Sequence, residues 1–147
     1  KFNEKNIEKI SDRIPCLFIP SLKRDKIFVF FHGNGEDLSS SYEFGSFISA
    51  ELEISVLIIE YQGYSIYEGD PTPENIVTDS KIVIEFLTRT GYSLEEIIIF
   101  GRSIGGAIAL GVASYFSIEC LILLSPFLSL KKVAEDLYGK CASTALK

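Results

Sequence analysis

Gly101-Arg102-Ser103-Ile104-Gly105 sets a serine between two glycines, where the apolar run "EIIIFG" (residues 96–101) meets the small-residue run "SIGGAIALGVASYF" (103–116). A strand that enters a helix through one tight turn forces the corner residue into strained backbone geometry, and flanking glycines relieve the crowding. The serine Oγ is then pushed above the sheet, beside a helix N-terminus whose free N–H groups and dipole favour developing negative charge. That is what a nucleophile in acyl transfer requires. With glycine at roughly 7% of residues in proteins generally, the bare G-x-S-x-G pattern has about a one-in-twenty chance of arising by accident in a chain this long. The pattern alone is therefore weak. The apolar strand before it and the Gly/Ala helix after it favour a nucleophile over an ordinary glycine-rich turn.

A second glycine-rich stretch, "FFHGNGED" (30–37), also ends an apolar run and opens a helical one, so its N–H groups face the same edge of a parallel sheet as Ser103. A His-Gly pair in this place matches the second half of an oxyanion hole. One donor is expected from the amide of Ile104, the residue after the serine, and the other from this loop, at Asn34. His32, Gly33 and Gly35 are read as shaping the loop, as Gly101 and Gly105 shape the serine corner. A lone histidine is more often structural than catalytic, and His32 is taken to fix the loop and not to serve as base. Phosphate-binding readings fail, because "HGNGED" lacks the third glycine of a dinucleotide fingerprint and "GRSIGG" lacks the Lys-[ST] of a P-loop.

The elements that must position these loops alternate in type. Five β-rich runs stand out: "CLFIP" (16–20), "KIFVFFH" (26–32), "ISVLIIEY" (54–61), "EIIIFG" (96–101) and "CLILLS" (120–125). The last four are almost continuously apolar, as in strands buried on both faces of a parallel sheet. The first two are joined by "SLKRDK", short enough for an antiparallel hairpin. Between them lie helical segments. Residues 37–52 place Leu38, Tyr42 and Phe47/Ile48 on roughly one face. Residues 72–91 carry a Thr72 N-cap, Pro73 in the first turn, a Gly91 stop, and Ile76, Val77, Val83, Ile84 and Leu87 at helical spacing. "SLKKVAEDLYG" (129–139) is the last candidate helix. The alternation predicts one α/β domain over residues 1–147, with a mostly parallel sheet and helices on both faces. If the chain stops after the 120–125 strand, a long apolar strand is left at an open sheet edge, which natural sheets avoid.

Composition agrees with a globular domain with a heavy core. The 147 residues are 47% apolar and 23% charged, with a net charge of −6, which argues against nucleic-acid partners; the basic residues form no run. Cys16, Cys120 and Cys141 show no metal-ligand or disulfide spacing and are expected to be buried free thiols. Without sequons or disulfide spacing, a reducing, cytoplasmic setting fits. No apolar run reaches the roughly 18 residues of a membrane span. The sequence contains no methionine, so Lys1 is read as following something removed.

"RIPCLFIP", "FFHGNGEDL", "EYQGYSIYEGDPTPEN", "IIIFGRSIGGAIAL" and "LILLSPFLS", in that order, resemble the α/β-hydrolase superfamily, in particular its eukaryotic serine hydrolases that include protein depalmitoylases and lipid-ester hydrolases. The likeness spans about residues 13–138. In the middle motif Glu60, Gln62, Ser65 and Tyr67 stand where the family usually has Asp, Arg, Gly and Ser. The resemblance implies an α/β-hydrolase fold, incomplete after the sixth family strand, and cleavage of a small-molecule or lipid-acyl ester or thioester through Ser103, with no metal or cofactor. It also implies peripheral membrane association through a segment preceding Lys1, by analogy only. The family's acid and histidine follow the serine in chain order. Here the single histidine precedes it, so the triad is expected to be incomplete in this chain, which alone is expected to be inactive. The alternative is a non-catalytic hydrolase-fold binding protein or an inactive fragment.

Overall fold

The computed structural model describes residues 13–23 and 25–126. All five apolar runs form strands, β1 (Cys16–Ile19), β2 (Ile27–Phe31), β3 (Ser55–Ile59), β4 (Ile97–Arg102) and β5 (Cys120–Leu124), interleaved with helices α1 (Leu38–Leu52), α2 (Pro73–Arg89) and α3 (Ile104–Ala113). The expected helix at 129–139 and Cys141 lie outside the described residues. The strands form one sheet in the order β1-β3-β2-β4-β5, parallel except where β1 runs antiparallel to β3. Among the described residues no helix is long and apolar enough to cross a membrane.

Strand parity divides the core. Ile27, Val29 and Phe31, with Leu57, Ile59, Ile97 and Ile99, pack under α2 and α3 through Ile76, Val83, Ile84, Leu87, Ile108 and Val112. The alternate residues Phe28, Phe30, Val56, Ile58 and Phe100 pack under α1 with Leu38, Phe44 and Ile48. The near-continuous apolar runs thus fill both faces of the central strands. Each fully buried aliphatic side chain contributes about 1.5–3 kcal/mol. Thr72 caps α2 through the Asn75 amide, with Pro73 in its first turn, as the sequence predicts.

Three expectations are corrected. First, β1 and β2 do not pair as a hairpin. The connector crosses the start of β3 instead, where the Ser21 hydroxyl donates to the Glu53 carbonyl (2.7 Å), the Ser55 hydroxyl accepts from the Ser21 amide (3.2 Å) and Lys23 pairs with Glu53. The doubly apolar β2 takes a parallel neighbour on each side, and β1, half-exposed, is relegated to the edge.

Second, α1 does not bury Tyr42 and Phe47, which are 53% and 60% exposed; Ser41, Gly45 and Ser49 face the sheet. The helix sits so close that a Cβ on Gly45 would stand 2.9 Å from Ile58 Cδ1. Aromatic rings have no room on that line.

Third, Cys16 and Cys120 are free but exposed. They lie on the two edge strands. Cys120 shares the parity of Ile122 and Leu124, which are 41% and 47% exposed beyond the reach of α1. Among the described residues β5 is the strand beyond β4, and the face that carries Cys120, Ile122 and Leu124 is exposed.

Candidate active site

The chain leaves β2 through α1 on one face of the sheet and leaves β4 through α3 on the other, and parallel crossovers of this kind are as a rule right-handed. β2 and β4 are adjacent and parallel, with Phe31 opposite Gly101. Their connections leave in opposite directions, and the crevice outside their carboxyl ends is where open α/β sheets bind ligands. The two glycine-rich loops open into this crevice.

Ser103 stands between β4 and α3 with φ 56° and ψ −121°, a conformation that costs a non-glycine residue about 1–3 kcal/mol. It is held by its backbone. The Ser103 amide donates to the Leu124 carbonyl (2.9 Å) and the Ser103 carbonyl accepts from the Gly106 amide (3.0 Å). Its side chain makes no capping bond, and the residue is half-buried. Ile104, the first residue of α3, carries one of the N–H groups for which a helix start offers no internal acceptor.

The glycines are required by space. A Cβ on Gly101 would lie 2.5 Å from the Gly105 carbonyl oxygen, and one on Gly105 would lie 2.2 Å and 2.5 Å from the carbonyl oxygens of Phe31 and His32. Backbone thus meets backbone where α3 begins, and the two loops touch.

The loop after β2 is built around His32, which is fully buried. A carbonyl can only accept, so Nδ1–H donates to the Gly33 carbonyl (3.1 Å), while Nε2 lies 3.2 Å from Glu60 Oε1. The ring stacks on Tyr61 at 4.1 Å. Glu60, also buried, accepts from the amides of Leu38 (3.2 Å) and Tyr61 (3.3 Å). The Tyr61 hydroxyl donates to the His32 carbonyl (3.0 Å); desolvation pushes this phenol well above its ordinary range, so it remains a donor. Both ring nitrogens of His32 are engaged.

Asn34 is exposed at the tip, with its side-chain oxygen accepting from the Tyr64 hydroxyl (2.8 Å). Gly35 follows with φ 75°, a left-handed turn that suits glycine. Asp37 then caps α1 by accepting from the Ser40 amide (2.8 Å). Glu36 accepts from the Gly33 amide (3.0 Å) and from Arg102, the residue before the serine. Partial burial disfavours the charged form of Glu36, but Arg102 and the Gly33 amide outweigh it and hold the carboxyl below the usual range.

Sequence reasoning missed Glu36, Tyr64 and Arg102, and noted Glu60 only as a departure from the family pattern. The available signal was the presence of opposite charges in the two marker loops, "HGNGED" and "GRSIGG". A cleft of about 760 Å³ between β1 and α2, lined by Cys16, Tyr67, Asp79 and Phe86 among others, touches none of the predicted site residues.

Residues 23–147 match the family profile described as serine aminopeptidase, S33. Alpha/beta hydrolase domain-containing protein 17C of Mus musculus is 30% identical over 125 residues, covering 84% of this chain and 39% of that protein. The corresponding figures for protein 17B of Homo sapiens are 30%, 84% and 43%. The chain thus spans about two-fifths of the length of these relatives. Among solved structures, an esterase from the bacterial hormone-sensitive lipase family superposes with a TM-score of 0.70 at 21% identity, over 87% of this chain and 46% of that one. An esterase from Exiguobacterium antarcticum gives 0.59 at 19%, over 84% and 50%. These likenesses concern the fold. With the profile matched over residues 23–147, most of the chain, the chain belongs to the α/β-hydrolase family described as serine aminopeptidase, S33.

Proposed function

We propose that this chain carries the nucleophile and oxyanion hole of a serine hydrolase that cleaves an ester or thioester by acyl transfer. Ser103 Oγ attacks the carbonyl carbon, its proton passes to a base, and the carbonyl π electrons move onto oxygen. The amides of Ile104 and Asn34 hold that oxyanion. The tetrahedral intermediate then collapses, the leaving alcohol or thiol takes up the proton from the base, and the acyl-serine that remains is hydrolysed by water. The observation that best supports this reading is the Ser103 backbone at φ 56° and ψ −121°, between glycines packed too tightly to carry a Cβ. Strain of that kind is kept where surroundings over-determine it, most often at functional sites.

The test is a fluorophosphonate probe on the complete gene product beside its Ser103→Ala variant. Labelling of the parent alone is expected; equal labelling of both would remove Ser103 from the role. One observation favours a second reading, a non-catalytic binder of an acyl ligand. The sequence has a single histidine, and both nitrogens of His32 are engaged in the buried loop. Acyl-ligand binding without Ser103-dependent labelling would support that alternative. The substrate proposed is a small-molecule or lipid-acyl ester or thioester, and peripheral membrane association is proposed by family analogy alone.

A further inference from the structure

The Glu36–Arg102 pair joins residues 66 apart in sequence, each belonging to one of the two loops at the crevice. Arg102 immediately precedes Ser103, and its guanidinium carbon lies 5.3 Å from the ring centres of both Phe30 and Phe44, a packed seat on α1 and β2. From there it reaches Glu36. The carboxylate oxygen that meets Arg102, Oε2, also accepts from the Gly33 amide. This has two consequences. The Gly33 N–H is occupied and withdrawn from any ligand, which leaves the next amide, that of Asn34, as the loop's donor. The path of the Gly33–Asn34 peptide is also tied to the serine corner by a charge-assisted bond, the stronger kind of hydrogen bond.

We propose that Glu36 is a positioning residue that sets the Asn34 amide relative to Ser103, and that Arg102 acts through it. The inference rests on the acyl-transfer reading of Ser103. Its effect is geometric. An oxyanion donor acts only if aimed at the place where charge develops, and removing one outright costs about 10²–10³ in rate. A donor that is kept but loosened should cost less, roughly ten- to 100-fold.

The experiment uses the complete gene product and reads the rate of Ser103 phosphonylation by a fluorophosphonate, kcat and KM on a p-nitrophenyl ester, and the thermal midpoint. Glu36→Ala is expected to slow phosphonylation and kcat by roughly ten- to 100-fold with KM within about twofold. Glu36→Gln keeps an acceptor for the Gly33 amide in the same volume and is expected to fall between parent and Glu36→Ala. It also carries the test if the alanine variant folds poorly. Arg102→Met is expected to slow the parent but to add nothing in the Glu36→Ala background, because it acts through the missing carboxylate. Parent-like rates in both Glu36 variants, or Glu36 and Arg102 effects that multiply, would overturn the inference while Ser103→Ala still abolishes labelling. Labelling that survives Ser103→Ala would instead overturn the acyl-transfer reading itself, and the inference with it.

Discussion

Gly105, in the first turn of α3, lies against the end of β2 so closely that a Cβ would be 2.2 Å from the Phe31 carbonyl oxygen. The neighbour is backbone inside a sheet and cannot rotate away. Gly105→Ala is therefore expected to cost more than the 1–3 kcal/mol of ordinary overpacking, on the order of 3 kcal/mol or above. Gly111→Ala, where the nearest atom is the Val77 Cγ2 methyl at 3.1 Å, is the control. It should change stability by no more than about 1 kcal/mol, since alanine's helix preference offsets the contact. Urea midpoints of the two variants check this; a harmless Gly105→Ala would mean that α3 does not approach β2 as described.

The strained corner predicts an inverse relation between stability and function. Ser103→Gly removes the steric cost of φ 56°, whereas Ser103→Ala keeps it. The glycine variant should be more stable than the alanine variant by roughly 1 kcal/mol, after allowing for glycine's greater backbone entropy loss. Both should fail to label. Equal denaturation midpoints would show that the corner stores no strain.

For His32 the expectation is structural. His32→Ala leaves the buried Glu60 without one of its partners and removes the ring stacked on Tyr61. A loss of about 2 kcal/mol or more is expected. The 147-residue chain purified alone is expected to hydrolyse p-nitrophenyl esters at no more than background, equally with Ser103→Ala, because a serine hydroxyl is a weak nucleophile until a neighbouring base takes its proton. Turnover by this chain that vanishes in a still-folded His32→Ala variant would make His32 a base and refute the loop-fixing role.

Acid should act on the loop through Glu36. Its carboxyl is held below the ordinary glutamate range in the folded protein, so the folded state releases that proton more readily than the unfolded chain. Its contribution to stability is then fully present above the unfolded value of about 4.3, and is lost as pH falls through the lowered folded value. The stability difference between parent and Glu36→Gln should be flat from pH 7 to about 5.5 and shrink below about 4.3. Urea titrations at three pH values suffice, and a difference that grows toward acid would contradict the pairing.

Much of the site was legible because its signals are local. The apolar runs at 26–32, 54–61 and 96–101 became β2, β3 and β4 because residues buried on both faces leave no polar alternation to hide. Thr72 announced a helix start through its own side chain, whereas the Asp37 cap of α1 emerged only in the structure. Gly101, Ser103 and Gly105 marked the corner because only small residues fit where backbones touch. The inward face of α1 was misread for a related reason. Apolar periodicity points to the largest side chains, but at close range the small ones, Ser41, Gly45 and Ser49, go inward.

The five strands, the three helices between them, their parallel α/β character and the two glycine-rich loops could be read locally, since each depends on residues within a few positions of one another. The place of β1 beside β3, the enclosure of His32 by Glu60 and Tyr61, and the meeting of Glu36 with Arg102 across 66 positions emerge in the folded chain alone. Those choices depend on partners distant in the chain. Their energies exist only once the sheet has brought the strand ends together, and no local pattern of residues encodes them.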